Sequence, residues 1–203
     1  LGVRRLQDQS YRAYFDELAR KGQVAGEVSP SYAMLGRDAI AQIDQLLEQP
    51  NFFFIMRNPV DRLVSQYSFQ VNRLGMEAPA GNDLLEMLLT LCAKSFHTNY
   101  ARSLKTYREV VPESRFKTVF TEHFFAPDRT QSECDALCDY LGVGRRKVQP
   151  RREVNRAPGL SVDADIRARL VAELSDAYIQ VAESVGDDLP SSWRRDLALR
   201  PQV

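Results

Sequence analysis

The sequence predicts an α/β protein, with a mostly parallel sheet flanked by helices, and three observations carry that expectation. Phe52, Phe53, Phe54, Ile55 and Met56 form an unbroken apolar run. A strand buried on both faces of a parallel sheet reads this way. A helix follows at once: Asn58 is a good N-cap, Pro59 suits the first helical position, and Val60, Leu63, Val64, Tyr67 and Val71 recur at helical spacing. Finally, 203 residues of which 44% are apolar are enough for one domain with a good core.

The other elements follow in chain order. Within 37–48, Ile40, Ile43, Leu46 and Leu47 lie at helical spacing. The stretch GMEAPAG, 75–81, reads as a flexible loop between two helices, and Leu84 to Leu91 as a packed helix. Arg115 to Phe120 reads as a strand after Pro112. Cys134, Leu137, Cys138 and Leu141 share one helix face, so the two cysteines are expected as small core residues. The densest basic segment, GRRKVQPRREVNRA, spans 144–157. From Asp163 to Val185 one long helix is expected, with Ile166, Leu170, Leu174, Tyr178, Val181 and Val185 packed on the sheet.

The junction after the apolar run is the candidate site. A strand running straight into a helix puts Arg57 at the carboxyl end of the sheet, where ligands of open α/β sheets bind. A guanidinium forks onto two phosphate oxygens. Ser65 follows Arg57 by eight positions and lies about seven residues into the helix, roughly 10 Å along its axis at 1.5 Å per residue. A phosphate touching both therefore lies beside the helix, not on its N-terminal axis. Spacing alone leaves open a plainer alternative, an Arg that caps neighbouring carbonyls and a Ser on a solvated helix face.

The stretch Arg57-Asn58-Pro59-Val60-Asp61-Arg62, then Ser65, resembles the 3′-phosphate-binding motif of sulfotransferases that use 3′-phosphoadenosine-5′-phosphosulfate (PAPS), in particular bacterial enzymes related to the heparan-sulfate type. The resemblance implies a three-layer P-loop-type fold. It implies that Arg57 and Ser65 hold the cofactor 3′-phosphate, with Arg62 structural or one layer behind. Gly26-Glu27-Val28-Ser29-Pro30-Ser31-Tyr32 is similar to the family's Gly-Glu-Lys-Ser/Thr-Pro-x-Tyr, with Val28 where many relatives have Lys. Tyr100 and Leu104, Glu122, Asp139 to Val143, and Asp188-Leu189-Pro190 with Trp193 resemble later family segments in the right order. Relatives close a basic loop over the nucleotide near 144–157, which makes Arg151 and Arg152 cofactor-binding candidates. The loop 75–81 matches a region that often borders the acceptor site.

Family members begin with a strand and a loop, often Lys-x-Gly-Thr-Thr, whose backbone N–H groups and Lys hold the 5′-phosphosulfate. No such run occurs in these 203 residues, and residues 6–20 resemble the helix that comes after that loop. The expectation is a single sulfotransferase-like domain over 1–203, incomplete at its N-terminus and, as this fragment, potentially inactive. The catalytic residue is unknown. Its candidates are Glu27, for which ordering a loop from a strand end is the plainer role, and His97, placed between two helices after the loop. His123, the other histidine, is expected to be structural; Tyr32 and Tyr67 are weighed as cleft-lining residues against core, the commoner place for such aromatics.

The 27 basic and 27 acidic residues balance, which argues against nucleic acid or a membrane surface as the main partner. No apolar run approaches the roughly 20 residues of a membrane span. Three cysteines without metal-ligand spacing, and no Asn-x-Ser/Thr sequon, favour the cytoplasm. The expected reaction moves a sulfuryl group from PAPS to a hydroxyl or amine of a small-molecule or glycan acceptor, without a metal, and leaves adenosine 3′,5′-bisphosphate. Two other readings stand beside it: a P-loop nucleotide or small-molecule kinase, and a non-catalytic helical interaction domain.

Overall fold

A computed structural model describes residues 8–19, 24–94, 99–148 and 160–200. In order these form helix α1 (Asp8–Leu18), a short 3-10 turn (Pro30–Met34), α2 (Arg37–Leu46), strand β1 (Phe52–Met56), α3 (Pro59–Leu74), α4 (Gly81–Lys94) and α5 (Tyr100–Arg108). Then come β2 (Phe116–Phe120), α6 (Thr121–Phe125), α7 (Thr130–Leu141), α8 (Ala164–Glu173), α9 (Ser175–Val185) and α10 (Ser191–Leu197). The molecule is a mostly helical α/β protein. Among the described residues its sheet has two strands, paired in parallel with Phe52 opposite Phe116 and Met56 opposite Phe120.

Burial of β1 differs from expectation. Phe54 and Met56 are buried, Phe52 and Phe53 are half-buried, and Ile55 is 45% exposed. Phe52 and Phe54 meet the rings of Tyr107 and Tyr100 on α5. The two faces of a strand alternate, so Phe53 and Ile55 point the other way, toward the less covered side, and a cavity runs along the strand from Phe52 to Ile55. An apolar run cannot distinguish a covered face from one that lines a void.

The helix after β1 forms as its sequence directs. Asn58 Oδ1 accepts the Asp61 N–H at 3.1 Å, closing the N-cap. Pro59 occupies the first turn, and Gly75, in the left-handed region at φ 63°, ends the helix. Val60, Leu63, Tyr67 and Val71 are buried, and Val64 packs partly against them. Leu84, Leu85 and Leu88 of α4 join the same core.

The long helix expected over Asp163 to Val185 is two helices meeting at Leu174, whose φ, ψ of −93°, 12° leave the α region. Ser175 and Asp176, residues that favour helix starts, open α9. Ile166 and Leu170 on one helix and Tyr178 and Val181 on the next all reach the core. Trp193 on α10, fully buried, meets the rings of Tyr100, Phe120 and Tyr178. Such pairs are worth about 0.5–1.5 kcal/mol each beyond area burial. Cys134 and Cys138 are half-buried rather than core, because α7 has no fully buried residue among those described. No described helix is long and apolar enough to cross a membrane.

Candidate functional site

The site is built around the chain from Met56 to Asn58, where β1 passes into α3. Three neighbours hold this backbone. Thr121 Oγ1 donates to the Met56 carbonyl at 2.9 Å. The Tyr100 hydroxyl donates to the Arg57 carbonyl at 2.8 Å. The Asn58 N–H donates to Glu122 Oε1 at 2.6 Å. Tyr100 starts α5, while Thr121 and Glu122 start α6 immediately after β2. Parallel pairing of β1 with β2 brings the two strand ends together, so the residues after β2 reach the residues after β1.

Behind this junction lies a buried polar network. Asn58, with no solvent exposure, donates from Nδ2 to Asp196 Oδ2 at 2.7 Å. The Tyr178 hydroxyl lies 2.9 Å from Asn58 Oδ1 and 2.8 Å from Asp196 Oδ2, one proton serving both acceptors. Arg167 forks onto Asp196, Nε to Oδ1 and Nη2 to Oδ2, both at 2.7 Å, and its Nη1 donates to Asp61 Oδ1 at 2.9 Å. Burial alone would raise the Asp196 carboxyl, but hydrogen bonds from Arg167, Asn58 and Tyr178 outweigh it and hold Asp196 below the usual carboxylate range. Burial pushes the Tyr100 hydroxyl up to about 12, so it stays protonated and donates.

The other side of the junction is open. The Arg57 side chain is exposed, and its guanidinium has no hydrogen-bond or ion-pair partner among the described residues. It lines a cavity of about 660 Å³ together with Glu27, Tyr32, Phe53, Ile55 and Arg62. Arg62 is half-buried and has no carboxylate partner among the described residues; its Nη1 reaches Gln66 Oε1 at 3.4 Å. Burial lowers its pKa, and the charge of Arg57 adds to that. Two guanidinium groups with no ion-pair partner among the described residues share this concave surface, which Asp16, Glu27 and Glu48 also line; a guanidinium fork is suited to an anion.

The sequence-predicted residues separate into three groups. Arg57 and Glu27 line the same cavity. Glu27 lies in an irregular segment before the Pro30–Met34 turn, not at a strand end, and its charge acts on the Tyr32 hydroxyl, which is itself 2.9 Å from the Tyr11 hydroxyl. Burial and these neighbours raise the Tyr32 pKa. Ser65 lies on an exposed part of α3 and is not among the cavity-lining residues. His97, Arg151 and Arg152 lie outside the described residues. His123 is buried beside Phe120, its Nε2 3.0 Å from Arg129 Nη1, and Tyr67 is core. Sequence reading missed Asp196, Arg167 and Tyr178 as supports of the site. Nothing in the local pattern marks them, because they reach Asn58 and Asp61 only through tertiary docking.

No protein-family model matches the sequence, and no curated protein matches it. Among solved structures the chain is similar to a sulfotransferase from Alicyclobacillus acidocaldarius, with 25% identity, a TM-score of 0.67, and coverage of 92% of this chain and 74% of that one. The chain has a sulfotransferase-like fold.

Proposed function

We propose that the protein is a sulfotransferase that takes its sulfuryl group from PAPS, and that Arg57 and Ser65 hold the 3′-phosphate of that cofactor. The observation that carries the reading is the Arg57 guanidinium, unpartnered among the described residues, at the carboxyl end of β1 in a sulfotransferase-like fold. The planar fork of Arg57 N–H groups fits a phosphate, and the exposed Ser65 hydroxyl adds one donor from α3, outside the cavity lining. Arg151 and Arg152 belong to the same proposal as further cations over the nucleotide. PAPS, when bound, supplies the sulfuryl group that passes to a hydroxyl or amine of a small-molecule or glycan acceptor, with adenosine 3′,5′-bisphosphate as the product.

The chain's own residues act by positioning. Arg57 and Ser65 grip a part of the cofactor that does not react, which fixes its place relative to an acceptor. They also separate PAPS from nucleotides that lack a 3′-phosphate. Glu27 is a candidate base for the acceptor proton, since its carboxylate borders the cavity that Arg57 lines; His97 is the other. The sequence contains no Lys-x-Gly-Thr-Thr-like loop to hold the 5′-phosphosulfate, so full-length protein is the material for any test of transfer. A cytoplasmic location is part of the same proposal.

Calorimetry tests the reading. Adenosine 3′,5′-bisphosphate is expected to bind full-length protein more tightly than adenosine 5′-phosphate or ATP. Equal affinity for the three would remove the 3′-phosphate clamp, and preference for ATP would favour the kinase reading.

A further inference from the structure

The peptide group joining Arg57 to Asn58 is held at both ends. Its carbonyl accepts from the Tyr100 hydroxyl at 2.8 Å, and its N–H donates to Glu122 Oε1 at 2.6 Å. The two partners come from different elements, α5 and α6. With the peptide before Arg57 and the peptide after it both held, the N, Cα and C atoms of Arg57 are fixed, and those three atoms set the direction of its Cα–Cβ bond. The carbonyl before it is fixed by Thr121, and Asn58 after it is locked through its own side chain. Arg57 itself is exposed, with no side-chain hydrogen bond or ion pair of its own to orient it among the described residues.

We propose that Tyr100 and Glu122 are positioning residues that aim the Arg57 guanidinium by clamping the Arg57–Asn58 peptide. The inference rests on the assignment of Arg57 to the 3′-phosphate. A flexible Arg on a loose backbone loses conformational entropy when it binds an anion, whereas a fixed backbone leaves only the side-chain torsions to order. Tyr100 is suited to the task. Its ring is buried between Phe54 and Trp193, so its hydroxyl is delivered by the core rather than by a mobile side chain. Glu122 brings a charged acceptor, and charge-assisted bonds to backbone N–H groups are the stronger kind. A buried Tyr hydroxyl needs a partner in any protein; the particular feature is that both residues act on one peptide next to an unpartnered cation.

The test measures the ratio of affinities for adenosine 3′,5′-bisphosphate and adenosine 5′-phosphate in full-length parent, Arg57→Ala, Tyr100→Phe, Glu122→Ala and Glu122→Gln proteins, each checked for cooperative unfolding. The ratio is expected to fall about tenfold in Tyr100→Phe and in Glu122→Ala, with adenosine 5′-phosphate affinity little changed. Glu122→Gln keeps an acceptor oxygen and is expected to recover most of the ratio. Purely structural damage would weaken both nucleotides together and leave the ratio intact. If Arg57→Ala loses the ratio while the folded clamp variants keep that of the parent, the clamp is wrong and the phosphate assignment survives. If Arg57→Ala keeps the ratio, the phosphate assignment fails and the clamp with it. Should Tyr100→Phe not fold, the Glu122 pair decides alone.

Discussion

Arg57 and Asn58 are consecutive residues, yet their surroundings are opposite. Asn58 is completely buried, and its side chain joins Asp61, Tyr178 and Asp196. Arg57 faces a cavity, and among the described residues its guanidinium joins nothing. Folding favours satisfied polar groups, so the buried side of the junction is what stability requires. The open side adds little to stability and keeps donors aimed at solvent. That contrast separates scaffold from site more sharply than either residue alone, and it can be broken from both sides.

The largest expected effect is on the scaffold. Asp196→Ala leaves Arg167 half-buried without its forked partner and orphans Asn58 Nδ2. Breaking such a buried pair costs about 3–5 kcal/mol, read from denaturant unfolding. A stability loss below about 1 kcal/mol would show that the network is not what anchors the junction. Acid should expose the same group. The folded pKa of Asp196 is depressed below its unfolded value. Its contribution is therefore fully present above the ordinary Asp pKa, near 3.9, and is lost as pH falls through the folded value. Unfolding followed from pH 6 to pH 2 should show this acid loss in the parent and a shallower one in Asp196→Asn. Equal slopes would mean that Asp196 is not held ionised by its partners.

Effects on the open side should be smaller and should fall on binding. Ser65→Ala is expected to weaken adenosine 3′,5′-bisphosphate by about 1 kcal/mol, the usual net value of one hydrogen bond, which calorimetry resolves. Unchanged affinity would leave Arg57 without its hydroxyl partner and return Ser65 to a solvated helix face. Smallest of all, Arg57→Ala should alter unfolding free energy by no more than about 0.5 kcal/mol, as for surface substitutions away from structural features. A larger loss would place Arg57 in the scaffold after all.

Much of this contrast was legible in the sequence, because its local half is written locally. The apolar run, the Asn58 cap, Pro59 and the helical spacing to Val71 each follow from residues a few positions apart, and all form as expected. Arg57 at the strand end is legible for the same reason. Other features depend on what lies across the fold. The side-chain partners of Asn58 and Asp61 on α8, α9 and α10 lie 106 to 138 positions away, and no periodicity links them. The one-sided burial of β1 could not be read, since Phe53 and Ile55 are apolar whichever surface they face. The break at Leu174 was hidden because Leu170, Leu174 and Tyr178 keep helical spacing across it, and all three are buried. Ser175-Asp176 was the available signal.

The central claim is that Arg57 holds a 3′-phosphate. Its most direct test is titration calorimetry of adenosine 3′,5′-bisphosphate into full-length parent and Arg57→Ala proteins, with the unfolding midpoint of each measured in parallel. The account predicts that Arg57→Ala weakens binding by about 2 kcal/mol, roughly thirtyfold in dissociation constant, at an unchanged midpoint. Equal affinity in the two proteins would contradict it.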